Sequence, residues 1–471
     1  MHRSTGGVTL GGSSAINGMI YIRGNRRDFD RWDDLGNPCW SYENVLPYFK
    51  RSEDHADSPN AYHGSGGPLR VRRLIGPTLA AHAFIEATQE LGFSGPPWDF
   101  NGETQEGGAD LYEVNVTEYG TRASAAVAFL HRIRFDRSNL TIKTNTQAIK
   151  LLTSRSNGSA LAIEGVRCLE GGVTVDYLCT REVILSGGAF ESPKLLMLSG
   201  IGPAAELRRI GIDPLLELPG VGENLHDHLL LLLYYKARKP VGMAKFIAEA
   251  GLFTRVDPMT GNMSLEPKGW PNLQYHFTGS IQYFTPPGIP DLNYIFAPTL
   301  VRPRSRGRLR LISPDPRHPM LIDPGYLSDP EDIAVLVHAI ELTRGLGETR
   351  AFRELNDGEC TPFLPAVNAP RADYETFVRQ WAQTVWHPVG SCKMGPDTDP
   401  MAVVDAELRV HRTQNLRVAD ASIMPEITTG NTNAPTIMIG ERVADFALGQ
   451  SLPCDSLVRR PRRPTSARGK T

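Results

Sequence analysis

The sequence predicts a mixed α/β fold that is divided into at least two domains. At 471 residues the chain is long enough to bury a large core and to form more than one domain. A short apolar strand at residues 182–186 runs into a Gly187-Gly188 turn and a helix that starts at Ser192-Pro193, as in α/β domains. Residues 257–330 are rich in proline and contain strand-like pieces such as residues 307–312, which indicate an antiparallel sheet in a second domain.

Local signals predict further regular elements around these two regions. Ser41 is a suitable N-cap, and apolar residues recur at helical spacing in several segments. Extended, β-rich sequence appears from residue 140 onward. The predicted helices cover residues 41–50, 77–91, 121–133 and the segment from Asp329-Pro330 onward, and the predicted strands cover residues 140–145 and 173–177.

Charge and cysteine usage argue against several classes of protein. The chain carries 50 Lys and Arg against 52 Asp and Glu, and residues 451–471 hold six of the basic residues and only one acid. The rest of the chain is therefore acidic, which does not suit a nucleic-acid surface, and we expect the basic tail to be disordered. Six scattered cysteines without a C-x-x-C pair indicate free thiols in a reducing compartment, which favours the cytoplasm. The longest apolar run, residues 229–235, is too short to span a bilayer.

Small residues form one candidate binding segment near the start of the chain. Residues 11–15 are glycine, serine and alanine, and Asn17-Gly18-Met19-Ile20 follows directly. Such a backbone can pass close to a bulky planar ligand and can bind an anion through its N–H groups, but it also fits a loop that leads into a strand. Residues 200–205 match the pattern G-x-G-x-x-A, yet they follow a helix rather than a strand, so we interpret them as a helix-ending turn.

Histidines supply three candidate functional positions. His387 lies between bulky apolar residues and a Pro-Val-Gly bend, and Asn433 stands further along the chain, just before a predicted helix start. His226 and His228 form an H-x-H pair that could serve a metal hydrolase, although no third ligand stands at a supporting spacing. His63 has no clustered partner, so we interpret it as a loop residue.

Three long stretches, residues 10–48, 186–202 and 387–445, resemble the glucose–methanol–choline (GMC) oxidoreductase family of flavoproteins. The resemblance implies an FAD-binding α/β domain of Rossmann-like type, interleaved with a substrate domain that is built on an antiparallel sheet. The expected bounds are residues 1–35, 138–235 and 396–450 for the FAD-binding domain, residues 36–137 and 236–395 for the substrate domain, and residues 451–471 for the tail.

The resemblance also assigns roles to single residues. It makes His387 the catalytic base and Asn433 the second active-site residue. A His near neutral pKa is suited to accept the hydroxyl proton of an alcohol while a hydride leaves for the flavin, and an Asn can stabilise the developing alkoxide. The positive end of the helix that starts near Pro435 would stabilise an anionic reduced flavin. The implied flavin contacts are Gly12, Asn17, Gly18, Met19, Ile20, Ala148, Gly188, Asp420, Ala421, Asn433, Ala434, Pro435 and Thr436.

Two departures from the family pattern shape the functional expectation. No strand followed by G-x-G-x-x-G precedes Gly6, so we expect the first βαβ unit to be missing, as in a truncated gene product. Position 16 is Ile, whereas some relatives attach the flavin covalently through a His in this motif, so noncovalent FAD is expected. The leading hypothesis is an FAD-dependent dehydrogenase or oxidase of a small alcohol, with oxygen or a quinone- or dye-type compound as electron acceptor. The alternative is a truncated or inactive homologue that cannot hold FAD.

Overall fold

The computed structural model describes residues 7–57, 59–154, 160–265, 269–280 and 286–450. The helices are α1 (Arg26–Asp34), α2 (Tyr42–Ser52), α3 (Leu79–Glu90), α4 (Gly188–Leu198), α5 (Ala204–Arg209), α6 (Pro330–Glu348), α7 (Arg350–Arg353), α8 (Arg371–Trp381) and α9 (Asn433–Leu448). The strands of the first half are β1 (Glu53–His55), β2 (Leu69–Arg73), β3 (Ala109–Leu111), β4 (Glu113–Val114), β5 (Thr146–Ser154), β6 (Leu161–Glu170), β7 (Val173–Leu178), β8 (Val183–Leu185), β9 (Ile201–Gly202), β10 (Leu216–Glu217) and β11 (Leu229–Leu230). Those of the second half are β12 (Leu233–Ala237), β13 (Ala250–Val256), β14 (Met263–Ser264), β15 (Leu273–Thr278), β16 (Asn293–Leu300), β17 (Arg308–Arg310), β18 (Leu321–Asp323), β19 (Asn356–Glu359), β20 (Gln383–Thr384), β21 (Thr413–Gln414) and β22 (Leu416–Val418).

A nine-stranded antiparallel sheet forms one part of the structure. Its main path runs β14-β13-β15-β16-β11-β20, with β3 beside β13 and with β12 between β16 and β19. One face is aromatic and packs against helices, since Phe277 of β15 stacks on Phe84 of α3 at a centroid distance of 4.7 Å. The predicted antiparallel sheet is therefore confirmed.

The other part is α/β and surrounds the C-terminal helix. β8 pairs in parallel with β22, and the chain then passes from Leu185 into α4. A separate sheet joins β5, β6, β7 and β21. Helix α9 packs beside α2, and Arg51 of α2 binds Asp445 of α9 through two hydrogen bonds of 2.8 and 2.9 Å. The mixed α/β fold class is confirmed.

Several local predictions hold and others are wrong. Helices α2, α3 and α6 match the predicted helices, with Ser41, Thr78 and Asp329 at their N-caps. Residues 140–145 are not a strand, because β5 begins only at Thr146. Residues 121–133 contain a π-helical turn at Ala126–Leu130 instead of a full helix. Residues 307–312 contain β17, which pairs with β18 in a separate two-stranded sheet. Ile201–Gly202 pairs in parallel with β10 instead of only ending a helix.

The remaining general predictions have mixed outcomes. Cys168, Cys179, Cys360 and Cys392 are free thiols, but the expectation of free thiols fails at Cys39, which is disulfide-bonded. None of the helices in the described part of the chain combines the length and the apolar character that crossing a membrane requires. The basic tail, residues 451–471, lies outside the described residues.

Candidate active site

The backbone of His387 is fixed by a buried carboxylate. After β20 the chain turns at Trp386, whose φ of 60° is left-handed, and the N–H of His387 then donates to Asp227 Oδ1 at 2.8 Å. Asp227 Oδ2 accepts from Tyr326 at 2.7 Å and from the hydroxyl of Thr384. Burial raises the pKa of Asp227, and these donors oppose that rise by stabilising the carboxylate. Asp227, which lies between His226 and His228, therefore fixes the backbone position of His387.

The imidazole of His387 is held at both nitrogens. Its Nδ1 lies 3.0 Å from Nδ1 of His228, and its Nε2 lies 3.2 Å from the amide nitrogen of Asn431. Because an amide N–H₂ can only donate, Nε2 is the acceptor, and the ring proton is on Nδ1, which donates to His228. Burial lowers the pKa of His387 to about 4 and holds that of His228 well below its ordinary value. Both rings are therefore neutral, and the lone pair of His387 Nε2, which accepts from Asn431, is the one that could take up a proton.

Asn431, and not the predicted Asn433, contacts the imidazole of His387. Asn433 is the first residue of α9, and its amide donates to Asn115 Oδ1 at 3.3 Å. Asn431 lies in the preceding turn, where Gly430 has a φ of 128° and where a Cβ would lie 2.3 Å from Ile22 Cγ2. Only glycine allows this close passage. The expected pairing of His387 with Asn433 is not present.

Asn115, which the sequence did not single out, joins the N-terminal segment to α9. Its backbone N–H donates to the carbonyl of Met19 at 2.7 Å, while its side chain accepts from Asn433. Asn17 Oδ1 accepts from Met19 N at 3.0 Å and from Arg122 at 2.7 Å, so the 17–20 segment is held in a tight turn. At Gly18 a Cβ would lie 2.6 Å from Ile247 Cγ2. The predicted residues 17–20 and the start of α9 are thus brought together.

Asp420 joins the start of α4 to the loop that carries His387. Its Oδ2 accepts from Gly188 N at 2.9 Å and from Ser192 Oγ at 2.5 Å, and Gly390 N donates to the carbonyl of Ala421 at 3.2 Å.

The remaining predicted flavin contacts have no hydrogen bond to the residues around His387 among the bonds described above. Gly12 begins a 3₁₀ turn with a φ of 55°, Ala148 is exposed on β5, Ala434 and Pro435 are buried in the first turn of α9, and Thr436 Oγ1 donates to the carbonyl of Thr432.

This arrangement fits the ring end of a flavin. Asn431 Oδ1 and Asn115 Nδ2 are buried polar atoms that have no hydrogen-bond partner among the described residues. Such atoms need a polar ligand group, since an unpaired buried donor or acceptor destabilises by about 1–3 kcal/mol. A Cβ at Gly12 or Gly188 would meet nothing within 4 Å, so both positions leave space. The N-terminal N–H groups of α9 add positive potential beside Asn433 and Ala434.

The histidines of the H-x-H pair do not form a metal site. His226 Nδ1 lies 2.7 Å from the carbonyl of Asn224, and its Nε2 accepts from Ile427 N at 2.8 Å, so both nitrogens have backbone partners. His228 is turned toward His387. The metal-hydrolase hypothesis therefore lacks its ligands.

His63 is clustered, contrary to its interpretation as a loop residue. It is 2% exposed and lies between Glu53 and Asp99, each at 3.0 Å. His55, His63 and Glu113 have candidate ligand atoms within 4.8 Å of one another. However, Nε2 of His55 already contacts Glu113 at 2.6 Å, so hydrogen bonds satisfy the group without a metal.

Comparison with known proteins identifies the family of the chain. Family models described as GMC oxidoreductase match residues 3–230 and 303–440. An oxygen-dependent choline dehydrogenase of Sinorhizobium fredii (strain NBRC 101917 / NGR234) is 37% identical over 470 residues, covering 94% of this chain and 82% of the relative. Another, from Yersinia pseudotuberculosis serotype O:1b (strain IP 31758), is 40% identical over 473 residues, covering 94% and 80%.

Two solved structures extend the comparison to the fold. Pyridoxine 4-oxidase from Mesorbium loti superposes with a TM-score of 0.82 at 32% identity, covering 92% of this chain and 82% of that structure. Formate oxidase of Aspergillus oryzae RIB40 superposes with a TM-score of 0.83 at 26% identity, covering 95% and 85%. The chain therefore belongs to the GMC oxidoreductase family and is an FAD-dependent oxidoreductase that acts on the CH–OH group of its donor.

Proposed function

We propose that this protein oxidises a small primary or secondary alcohol with His387 as the base and Asn431 as its hydrogen-bonding partner. The observation that carries the proposal is the 3.2 Å separation of His387 Nε2 from the Asn431 amide nitrogen. Two nitrogens this close can contact one hydroxyl oxygen at the same time. Bound flavin supplies the hydride acceptor for the carbinol carbon.

His387, Asn431 and His228 have different roles in the removal of the hydroxyl proton. His387 Nε2 takes the hydroxyl proton, because the ring is neutral and its other nitrogen is already committed to His228. Asn431, whose amide contacts Nε2 before substrate binds, donates to the same oxygen as negative charge develops there, from a turn that Gly430 holds in place. His228 is a positioning residue that keeps the proton of His387 on Nδ1 and the lone pair on Nε2.

The finer points of cofactor and acceptor also belong to this proposal. Ile16 is 58% exposed and offers no nucleophilic atom, which supports noncovalent FAD. Asn17 to Ile20, Asn115 and the first turn of α9 would hold the ring end of the flavin. The curated relatives are oxygen-dependent choline dehydrogenases, so we propose oxygen as the electron acceptor and choline as the first substrate to test. Pyridoxine is the second, because of the solved oxidase.

Anaerobic titration of the FAD-loaded protein tests the proposal. Choline, pyridoxine and simple primary alcohols are added in turn, and loss of the oxidised flavin absorbance is recorded. Bleaching by at least one alcohol, with reoxidation by air, is expected. Acid precipitation should release the flavin into the supernatant. If the FAD-loaded protein stays yellow with every alcohol, the proposed function is wrong, and flavin that remains in the pellet would contradict noncovalent binding.

A further inference from the structure

The face of the nine-stranded sheet that turns away from α3 and α6 carries polar side chains. Tyr275 and Phe277 of β15 point to the helix side, so Gln274, His276 and Thr278 between and beside them point to the opposite side. On that side the register places His276 across from Ala297 and Gln274 across from Thr299. Gln274 Oε1, His276 Nε2 and Thr278 Oγ1 are all buried without a hydrogen-bond partner among the described residues.

A tyrosine fixes which atom of His276 carries the proton. The hydroxyl of Tyr112 lies 2.9 Å from the carbonyl of Tyr275, from His276 Nδ1 and from the amide nitrogen of Gln274. A carbonyl can only accept, so the hydroxyl proton goes to Tyr275, and the hydroxyl oxygen accepts from the other two groups. All three contacts are favourable only in this arrangement. His276 therefore has its proton on Nδ1 and presents a bare Nε2.

A glycine in the neighbouring strand makes room for this tyrosine. Gly251 of β13 pairs with His276, and a Cβ at Gly251 would lie 2.4 Å from the Tyr112 hydroxyl oxygen. Any side chain there would push the phenol away from His276 and Gln274. The arrangement is thus built into the sheet by three strands, since Tyr112 directly follows β3.

His276 belongs to the neighbourhood of the proposed base. Burial lowers the pKa of His276, and the nearby ring of His387 lowers it further; His276 is in turn among the groups that lower the pKa of His228. The pKa of His276 falls to about 3, so its ring is neutral. Leu229 of β11 belongs to the helix-side cluster and pairs with Leu300, so His228, just before it, faces the same side of the sheet as Gln274 and His276. His228 in turn contacts His387 at 3.0 Å. Gln274 Oε1 and His276 Nε2 are therefore two unpaired acceptors on the side of the sheet where this histidine pair lies.

We propose that His276 Nε2 and Gln274 Oε1 recognise the substrate by accepting hydrogen bonds from a donor group other than the reacting hydroxyl. A second hydroxyl or an N–H would satisfy these acceptors, whereas a methyl group in the same place would leave them buried and unpaired. Sites built to bind an O–H or N–H discriminate strongly against analogues that lack it. The inference rests on the proposed function and adds the substrate class.

Two matched substrate pairs test it. The first is 1,4-butanediol against 1-pentanol, where a methyl replaces the second hydroxyl. The second is N,N-dimethylethanolamine, which carries an N–H when protonated, against choline, where a methyl replaces that hydrogen. In at least one pair, kcat/KM of the donor-bearing member should be higher by about tenfold or more, and most of the difference should lie in KM.

Two variants identify the residue. His276→Asn keeps a donor at the position of Nδ1 for Tyr112 but removes the acceptor, so the preference within the pair should vanish. His276→Gln places a polar atom near the position of Nε2 and should restore part of it. Since each ratio compares two substrates on one enzyme preparation, partial misfolding of a variant cancels. Equal kcat/KM within both pairs for wild type, or an unchanged ratio in His276→Asn, would overturn this inference and leave the proposed function standing. Failure to oxidise all four alcohols and pyridoxine would refute the proposed function itself.

Discussion

Replacing Asn431 and Asn433 one at a time tests which of them acts with His387 on the substrate. Asn431→Ala removes the amide that lies 3.2 Å from His387 Nε2. If that amide donates to the substrate oxygen as it gains charge, its loss is worth about 1.5–3 kcal/mol, the range for hydrogen bonds to charged groups. The corresponding fall in the limiting rate is roughly 10- to 150-fold.

The matched variant is Asn433→Ala, at the first residue of α9, two positions after Asn431. Its amide donates to Asn115 at 3.3 Å and does not contact His387. We expect weaker flavin retention with a limiting rate within about threefold of wild type, since one neutral hydrogen bond of the cofactor-holding segment is lost. The assay is anaerobic stopped-flow reduction of the FAD-loaded proteins at saturating alcohol. A large rate loss in Asn433→Ala together with a normal rate in Asn431→Ala would refute the assignment.

Three further outcomes follow from burial, charge and close packing. The limiting rate of flavin reduction divided by the dissociation constant of the alcohol should rise through about pH 4, where His387 loses its proton, and stay level from pH 5 to 8. An acidic limb centred above pH 6 would contradict the depressed pKa. The carboxylates of Asp99 and Glu53 raise the pKa of His63 to about 9 despite its burial, so its stabilising contribution, on the order of 3 kcal/mol, is complete below pH 6.5 and is lost as pH rises through 9. Urea denaturation should therefore show a stability loss between pH 6.5 and 9 that is absent in His63→Gln, and a parallel loss in both proteins would count against it. Gly18→Ala should lower FAD occupancy because its Cβ would meet Ile247, and Gly18→Ala/Ile247→Ala should recover it; no recovery would place the defect elsewhere.

The sequence predicted the fold class and the general position of the site because those depend on long ordered patterns. The strand and helix at residues 182–196 and the Asp329 N-cap are local signals, and they appear in β8, α4 and α6. Only the helix start is wrong, because α4 begins at Gly188 and contains Pro193 in its interior. The failures at residues 121–133 and 140–145 have a different origin. Those segments are apolar or alternating enough for a helix or a strand, but most of their residues remain partly or fully exposed, so no packed face stabilises the regular form. The domain bounds remain a prediction.

The details of the site depend on contacts that spacing cannot reveal. Asn431 and Asn433 stand in similar local sequence, and only the left-handed Gly430 and the start of α9 at Asn433 decide which one turns toward His387. Asn115 lies more than 300 residues from Asn433 and has no motif of its own. His228 could be found as part of an H-x-H pair, but the pattern suggested a metal, because a His that orients another His leaves the same local signal.

The most direct test of the central claim is the anaerobic reduction rate of FAD-loaded His387→Gln. Gln fills a similar volume but cannot accept the proton, so the limiting rate at saturating alcohol should fall by about 10²- to 10⁴-fold, with flavin content unchanged. His318→Gln, at a side chain that is 56% exposed in a loop, is the control and should match wild type. A His387→Gln protein that is fully loaded with FAD and reduced at the wild-type rate would show that another group removes the proton.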